Sequence, residues 1–347
     1  MDRLKRLLAS VDRWQRGHKV PGAAWAVQKK VGEDNANLWV VALSWYGFTA
    51  IFPLLLVVVT VFGFVGAASL GSGLLATLRH FPIIGSDLHV GAGPSSLHGS
   101  VLGLAVGVVG MFYGAQGVTQ TAEQTMSTVW NIPQVERPGF LPRLGRSVSG
   151  LLVIAATFLL NAFVTGYATG SGRSWALRVP IIAVLLALNV LAYLLAFRVL
   201  TPKQVRTRAL RPGAVVGGVA FTALITLGTG LVEHTLSNKS NTYGAFGSVI
   251  GIVAFLGLLA KLSVYAAELN PVLDRRLYPR QFLVGEPTEA DEQVWHDIVH
   301  QERRRGDQRI GVGFGEAAPA EVSADARQPG DDDPQPRLDT SGRHSAR

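Results

Sequence analysis

From Asn35 to Leu78 the chain runs for forty-four residues without an Asp, Glu, Lys or Arg. Inside that stretch lies LWVVALSWYGFTAIFPLLLVVVTVFGFVG, Leu38 to Gly66. A hydrocarbon core about 30 Å thick is crossed by about 20 helical residues rising ~1.5 Å each. These 29 residues therefore span a bilayer with length left for tilt, a kink or a protruding end. A water-soluble fold would have to hide all of that apolar surface, so the segment marks a membrane protein.

The rest of the chain agrees. Hydrophobic residues make up 48%, charged residues 16%, and there are 39 glycines, a profile of polytopic helical membrane proteins. With no cysteine, disulfides, zinc–thiolate sites, iron–sulfur ligation and thiol catalysis are excluded. Charge is unevenly spread. Residues 1–267 hold 21 Lys/Arg against 8 Asp/Glu, and residues 268–347 hold 11 against 16. A basic body with an acidic tail suits topology signals and anionic-lipid contact better than a nucleic-acid surface. The first apolar run is too long for a signal-peptide core, so it is expected to be an uncleaved anchor.

A hydropathy window of about 19 residues gives six spans, near 38–66, 99–118, 148–169, 180–200, 212–233 and 247–267. The segment before the first span carries eight Lys/Arg. The second connection carries Arg137, Arg143 and Arg146, and the fourth carries Lys203, Arg206, Arg208 and Arg211. The odd connections hold only Arg79, then Arg173 and Arg178, then Lys239. Positive-inside bias thus predicts an all-α, six-transmembrane-helix bundle with both termini cytoplasmic. Its expected parts are a basic segment over 1–34, a transmembrane domain over 35–270 and a cytoplasmic tail over 271–347.

In the first part, Leu4, Leu7, Leu8, Val11 and Trp14 recur at helical spacing opposite Lys5, Arg6, Arg13 and Arg16. That pattern predicts an amphipathic helix lying among anionic headgroups; a solvated basic arm is the alternative. The first outer loop, with LLATLRHFPIIG, is too short and broken to span and is expected to form a small helical excursion. In the tail, 288–305 is expected to be helical, with acids in its first turn and arginines in its last. Beyond Gly306 the composition predicts disorder.

Polar residues inside the spans are the candidate site. Glycines 99, 103, 107, 110, 114 and 117 form one seam on the second span, suited to close helix packing. Beside it runs Tyr113, Gln116, Gln120, Glu123 and Ser127. This stripe is either an amphipathic extension into the cytoplasm or the lining of a hydrophilic path. Thr157, Asn161 and Thr165 recur on the third span and Asn189 and Tyr193 on the fourth, where hydrogen bonds between helices are the simpler role. Pro53 removes a backbone bond to the Thr49 carbonyl and predicts a bend that shapes a cavity or merely packs. Lys261 and Glu268 share a face of the sixth span, about 10 Å apart along its axis. Lys261 either snorkels, pairs with a carboxylate of the bundle, or touches substrate.

Enzyme motifs are missing. His296 and His300 lack the Glu of HExxH, and no Walker loop, GxSxG elbow or nuclease metal cluster is present. No metal, cofactor or catalytic residue is expected.

Four motifs stand in order along the chain: Trp45-Tyr46 with Phe52-Pro53-Leu54-Leu55, residues 128–133, residues 211–214, and residues 243–248 with 267–270. Together they resemble the YihY/BrkB family of bacterial inner-membrane proteins, once mislabelled ribonuclease BN. Trp45-Tyr46 … Phe52-Pro53-Leu54-Leu55 is similar to its "AYY…FPLLL". Thr128-Val129-Trp130-Asn131-Ile132-Pro133 is similar to "IWxxP", and Arg211-Pro212-Gly213-Ala214 to "PGA". Tyr243-Gly244-Ala245-Phe246-Gly247-Ser248 with Ala267-Glu268-Leu269-Asn270 is similar to "YGAFGS … GAELN". The likeness covers roughly residues 30–275. Ala266-Ala267 departs from the small-Gly pair before Glu268, and Lys261 interrupts a usually aliphatic span.

The resemblance implies six helices with both ends inside, and suggested links to export or flipping of envelope lipids. The expectation is a transporter-like protein for a lipid or envelope-associated amphiphile, without ATP hydrolysis of its own. Its candidate contacts are Gln116, Gln120, Glu123, Asn161, Asn189, Lys261 and Glu268. A non-transporting scaffold for envelope proteins is the alternative. Ribonuclease activity and nucleic-acid binding are not expected.

Overall fold

The computed structural model describes residues 2–65, 101–137, 139, helical residues scattered over 142–164, and then 178–236, 244–282 and 287–314. The outer-loop excursion expected over 67–99 and Thr165 lie outside these residues. The expected disordered tail is described only as far as Phe314. Residues 311–347 separate from the rest as a second unit.

Among the described residues, eight continuous helices follow in chain order. They are α1 (Asp2–Gly17), α2 (Lys19–Glu33), α3 (Ala36–Val65), α4 (Val101–Val129), α5 (Arg178–Leu200), α6 (Arg211–Leu236), α7 (Gly244–Asp274) and α8 (Glu289–Gln301). Two short 3-10 turns, Gln134–Glu136 and Thr207–Leu210, complete the set. No strand occurs among the described residues. The helix-forming apolar runs explain the length of α3 to α7, and α3 continues as one helix through Pro53.

Among the described residues, three stretches are long and apolar enough to cross a membrane: Val179–Leu200, Thr207–Ile225 and Val249–Asp274. Ala36–Ile51 is a shorter apolar helix. The outward faces of α3 to α7 carry Val41, Val106, Val109, Ile182, Val184, Leu191, Val216, Ile250 and Val253, all exposed. In water this apolar surface would remain uncompensated at ~25 cal/mol per Å²; against lipid it is the favoured arrangement. The protein is therefore a helical membrane protein.

Small residues set the helix contacts. A Cβ on Gly114 would lie 2.9 Å from the Ala50 backbone, and one on Gly117 would lie 2.3 Å from the Tyr46 ring. The glycine seam of α4 thus receives α3, whose other side meets α7 at Gly47 against Leu256 and at Ser44 against Gly257. Gly217 and Gly218 of α6 do the same against Tyr193 and Val190 of α5.

The closest approach is at Gly213. Its backbone N–H donates to Asn270 Oδ1 at 2.7 Å, and an added Cβ would stand 2.1 Å from the Ala266 carbonyl oxygen. The family-type pair Pro212-Gly213 and Asn270 is thereby one contact between the first turn of α6 and the end of α7. Gly213→Ala is expected to force these helices apart at a cost of about 1–3 kcal/mol. Thermal unfolding in detergent checks this, with Gly17→Ala as control because nothing lies within 4 Å of that site.

Helix ends position the next layer. Asn35 (φ 51), Asn131 (φ 50) and Arg276 (φ 56) take left-handed conformations just after α2, α4 and α7. At α4 the Ile132 N–H reaches back to the Ser127 carbonyl, and at α7 Leu277 N–H reaches Val272, each closing the last turn. Both helices stop sharply at the same end of the bundle, and the chain leaving each one crosses that end.

Candidate functional site

Lys30 lies on α2 in an apolar stripe of Ala23, Ala26, Val27 and Val31, and it is fully buried. An ammonium there needs three acceptors. It finds them on three elements: the Asp34 carboxylate just after α2, the Val129 carbonyl at the end of α4 (2.8 Å), and Glu268 Oε2 on α7 (3.0 Å). Asn131 donates weakly to Asp34 Oδ1 at 3.4 Å and more closely to Gln301 Oε1 at 3.0 Å. Glu268 is fully buried, and its Oε1 has no hydrogen-bond partner among the described residues. The knot therefore places one buried cation against two buried carboxylates where α2, α4 and α7 meet. Burial alone pushes the Lys30 ammonium down, but Glu268 and Asp34 outweigh it and hold its pKa above the ordinary 10.5.

A second network fastens the C-terminal segment over the first. Arg280 is fully buried; it grips both oxygens of Glu33 at 2.9 and 2.8 Å and bonds Asp291 Oδ1. Asp291 also receives Lys29 at 2.8 Å and the backbone N–H groups of Gln281 and Thr288, both at 2.9 Å. It closes a capping box with Thr288 at the start of α8. Burial pushes the Asp291 carboxyl up, yet Lys29, Arg280 and the two backbone donors hold it well below the usual carboxylate range. Trp295 donates to Glu33 at 3.1 Å, and Asp297 pairs with Arg275 at 2.8 Å. Arg303 reaches Glu136 at 2.7 Å. α8 thus bridges from α2 to the turn after α4. The segment that the sequence assigns to a separate tail, from residue 271, is partly built into the bundle end.

The sequence-derived candidates divide. Along α4, Tyr113 is exposed, Gln116 and Gln120 are half-buried, and Glu123 and Ser127 are buried. The inner end of the stripe is buried, with Ser127 two residues before the Val129 carbonyl that Lys30 grips. Asn161, Asn189 and Thr222 form a chain of hydrogen bonds at 2.9 and 3.0 Å joining three helical segments. Tyr193 meets Ser263 at 2.9 Å. Lys261 is exposed, with its ammonium 5.8 Å from the Tyr265 ring centre, while Glu268 is held by Lys30. Of the motif residues, Trp130 is buried under the Arg275 guanidinium, which donates to its carbonyl at 2.9 Å. Pro133 starts the Gln134–Glu136 turn. Gly244 and Gly247 lie in the first turn of α7.

Sequence reasoning missed Lys30, Asp34, Glu33, Arg280 and Asp291. For Lys30 a signal existed: it continues the Ala23–Ala26/Val27 face, with Asp34 one turn on.

A family model described as Virulence factor BrkB matches residues 27–289. The chain belongs to this family. Comparison with curated proteins and with solved structures gives no match. The BrkB match begins inside α2 and ends at the first residue of α8, so it extends past both limits of the motif likeness at 30 and 275. It takes in Lys30, Asp34, Glu268 and Arg280, whereas Asp291 lies two residues beyond it. The inner knot is a feature of the BrkB region, and the outer clasp joins that region to a segment outside it.

Proposed function

We propose that the chain crosses a bacterial cytoplasmic membrane six times with both termini cytoplasmic, and moves a lipid or envelope-associated amphiphile. Its N-terminal helix α1, with Val11 and Trp14 exposed, would rest among anionic headgroups. The observation that carries the proposal is the Lys30–Asp34–Glu268 knot. Ionisable groups buried at span ends are costly, and they characteristically line or close pathways. The half-buried Gln116 and Gln120 lead along α4 toward that knot, which we take as the closed cytoplasmic end of the path, with α8 as its cover. No ATP hydrolysis, catalytic step or ribonuclease activity enters this function.

Cysteine accessibility along 110–127 and 255–268 tests it, because with no native cysteine each introduced thiol reports alone. Thiols at 116, 120 and 123 are expected to react with a membrane-impermeant reagent while positions between them stay protected. Full protection of that face would remove the path. Absence of lipid movement in reconstituted vesicles, with Glu123→Gln and Glu268→Gln equal to wild type in cells, would remove transport altogether.

A scaffold that recruits envelope proteins is the rival. Deleting residues 280–347 does not separate the two, because it strips Arg280 and Asp291 from Glu33 and Lys29. Truncation after Phe314 leaves both networks whole. A scaffold acting through its acidic tail loses function on that truncation, and a transporter keeps it.

A further inference from the structure

A cleft of about 440 Å³ opens at the same end of the bundle, between residues 130–136, 204–206 and 274–275. The membrane-competent stretches stop or start at its rim. Val179–Leu200 ends just before it, Thr207–Ile225 begins one residue after Arg206, and Val249–Asp274 ends in its wall. The cleft therefore sits at headgroup depth, where the apolar spans give way to polar chain.

Its lining holds four charges, Arg206 and Arg275 against Glu136 and Asp274, which sum to zero. Two of them are engaged. Arg275 pairs with Asp297 and covers the Trp130 ring, and Glu136 pairs with Arg303. The other two are exposed, and among the described residues neither Arg206 nor Asp274 has an ion pair or side-chain hydrogen bond. They come from different segments, and they do not meet each other. Two opposite, unpaired charges thus line one cleft at the membrane boundary.

We propose that this cleft binds the headgroup of a phospholipid bearing a primary amine, with its phosphate on Arg206 and its ammonium on Asp274. A guanidinium takes phosphate oxygens in pairs, and an ammonium donates to a carboxylate. An anionic headgroup without an amine, such as phosphoglycerol, brings Asp274 and Glu136 neutral hydroxyls at most and no cation, a weaker pairing than an ammonium makes. A quaternary ammonium has no N–H to donate and requires open aromatic faces. Trp130 is buried and its ring already carries Arg275. The proposal concerns binding, and it stands whether or not the bundle transports.

Native mass spectrometry of the full chain in detergent tests it, by titration with phosphatidylethanolamine, phosphatidylglycerol and phosphatidylcholine of identical acyl chains. Phosphatidylethanolamine is expected to be retained about tenfold better than the other two, the worth of one charge-assisted hydrogen bond. Arg206→Ala and Asp274→Asn should each erase that preference while the thermal midpoint stays at the wild-type value. Equal retention of the three lipids, or a preference for phosphatidylglycerol, overturns the proposal. So does an ethanolamine preference that survives both substitutions.

Discussion

Lys30→Met is expected to destabilise the protein by about 3–5 kcal/mol, because it leaves two carboxylates buried with no cation. The side chains of Lys30, Asp34 and Glu268 are at most 1% exposed, so water cannot take over the role of the lost ammonium. The Val129 carbonyl at the end of α4 loses its donor as well. Unfolding in detergent, followed by temperature or by SDS titration, checks the magnitude. Lys19→Met, at an exposed position of the same helix, should stay within about 0.5 kcal/mol of wild type. The triple variant Lys30→Met, Asp34→Asn, Glu268→Gln should recover much of the loss, since a neutral set removes the unpaired charge that does the damage. A triple variant as unstable as the single one would mean that packing of the lysine stem, not charge, holds the knot.

The same group sets a pH dependence. The folded-state pKa of Lys30 is raised above 10.5, so its stabilisation is whole below that value and is lost as pH rises through the folded pKa. Wild type is expected to keep constant stability from this group through the neutral range and to fall at strongly alkaline pH. Lys30→Met should lack that fall.

What the sequence made legible follows from the reach of each signal. Hydropathy is a local sum over some 20 residues, so α3 to α7 stand out from composition alone. The glycine seam of α4 is equally local, and Gly114 and Gly117 do receive α3. Asn161 and Asn189 also met as bundle partners, because amides at helix-facing positions have few other ways to be satisfied. Long-range charge pairing is different. Lys29 and Lys30 are adjacent and identical in any charge tally, yet one is partly exposed and the other fully buried. A tally by loop treats both as topology signal. Glu268 was visible as an interior acid, but its partner lay 238 residues away on α2 rather than seven residues away at Lys261. Spacing along α7 places Lys261 about 10 Å away and gives no sign of Lys30, which only the packing of α2 against α7 brings to Glu268.

The tail shows the same limit in another form. Its acidic, helix-capping composition from Thr288 is readable, and the structure forms α8 there. What composition hides is that Arg280, eight residues earlier, is fully buried between Glu33 and Asp291. A basic residue just past the last span reads as a headgroup contact. Here it is instead the centre of the clasp that ties α2 to α8.

Asp291→Ala is expected to undock α8, with a cost of about 3–5 kcal/mol borne by the clasp. The substitution strands the buried Arg280 guanidinium with Glu33 alone and leaves Lys29 only the Gln281 carbonyl at 3.3 Å and the Trp295 ring. It also removes the acceptor for the Gln281 and Thr288 N–H groups and opens the capping box. Because Asp297, Gln301 and Arg303 hold the far end of α8 through partly exposed contacts, they cannot keep the helix seated alone. Limited proteolysis should cut between 287 and 305 in the variant under conditions where the same segment of wild type stays protected, and the core through Asp274 should survive in both. Acid should reproduce the variant. A depressed carboxyl stabilises fully above its ordinary value of 3.8 and loses that contribution as pH falls through the lower folded value. Protection of α8 in wild type is therefore expected to disappear only in strong acid, and in Asp291→Ala to be absent at every pH. If α8 stays protected in Asp291→Ala, the clasp is not what seats the cover, and the knot at Lys30 alone closes that end of the bundle.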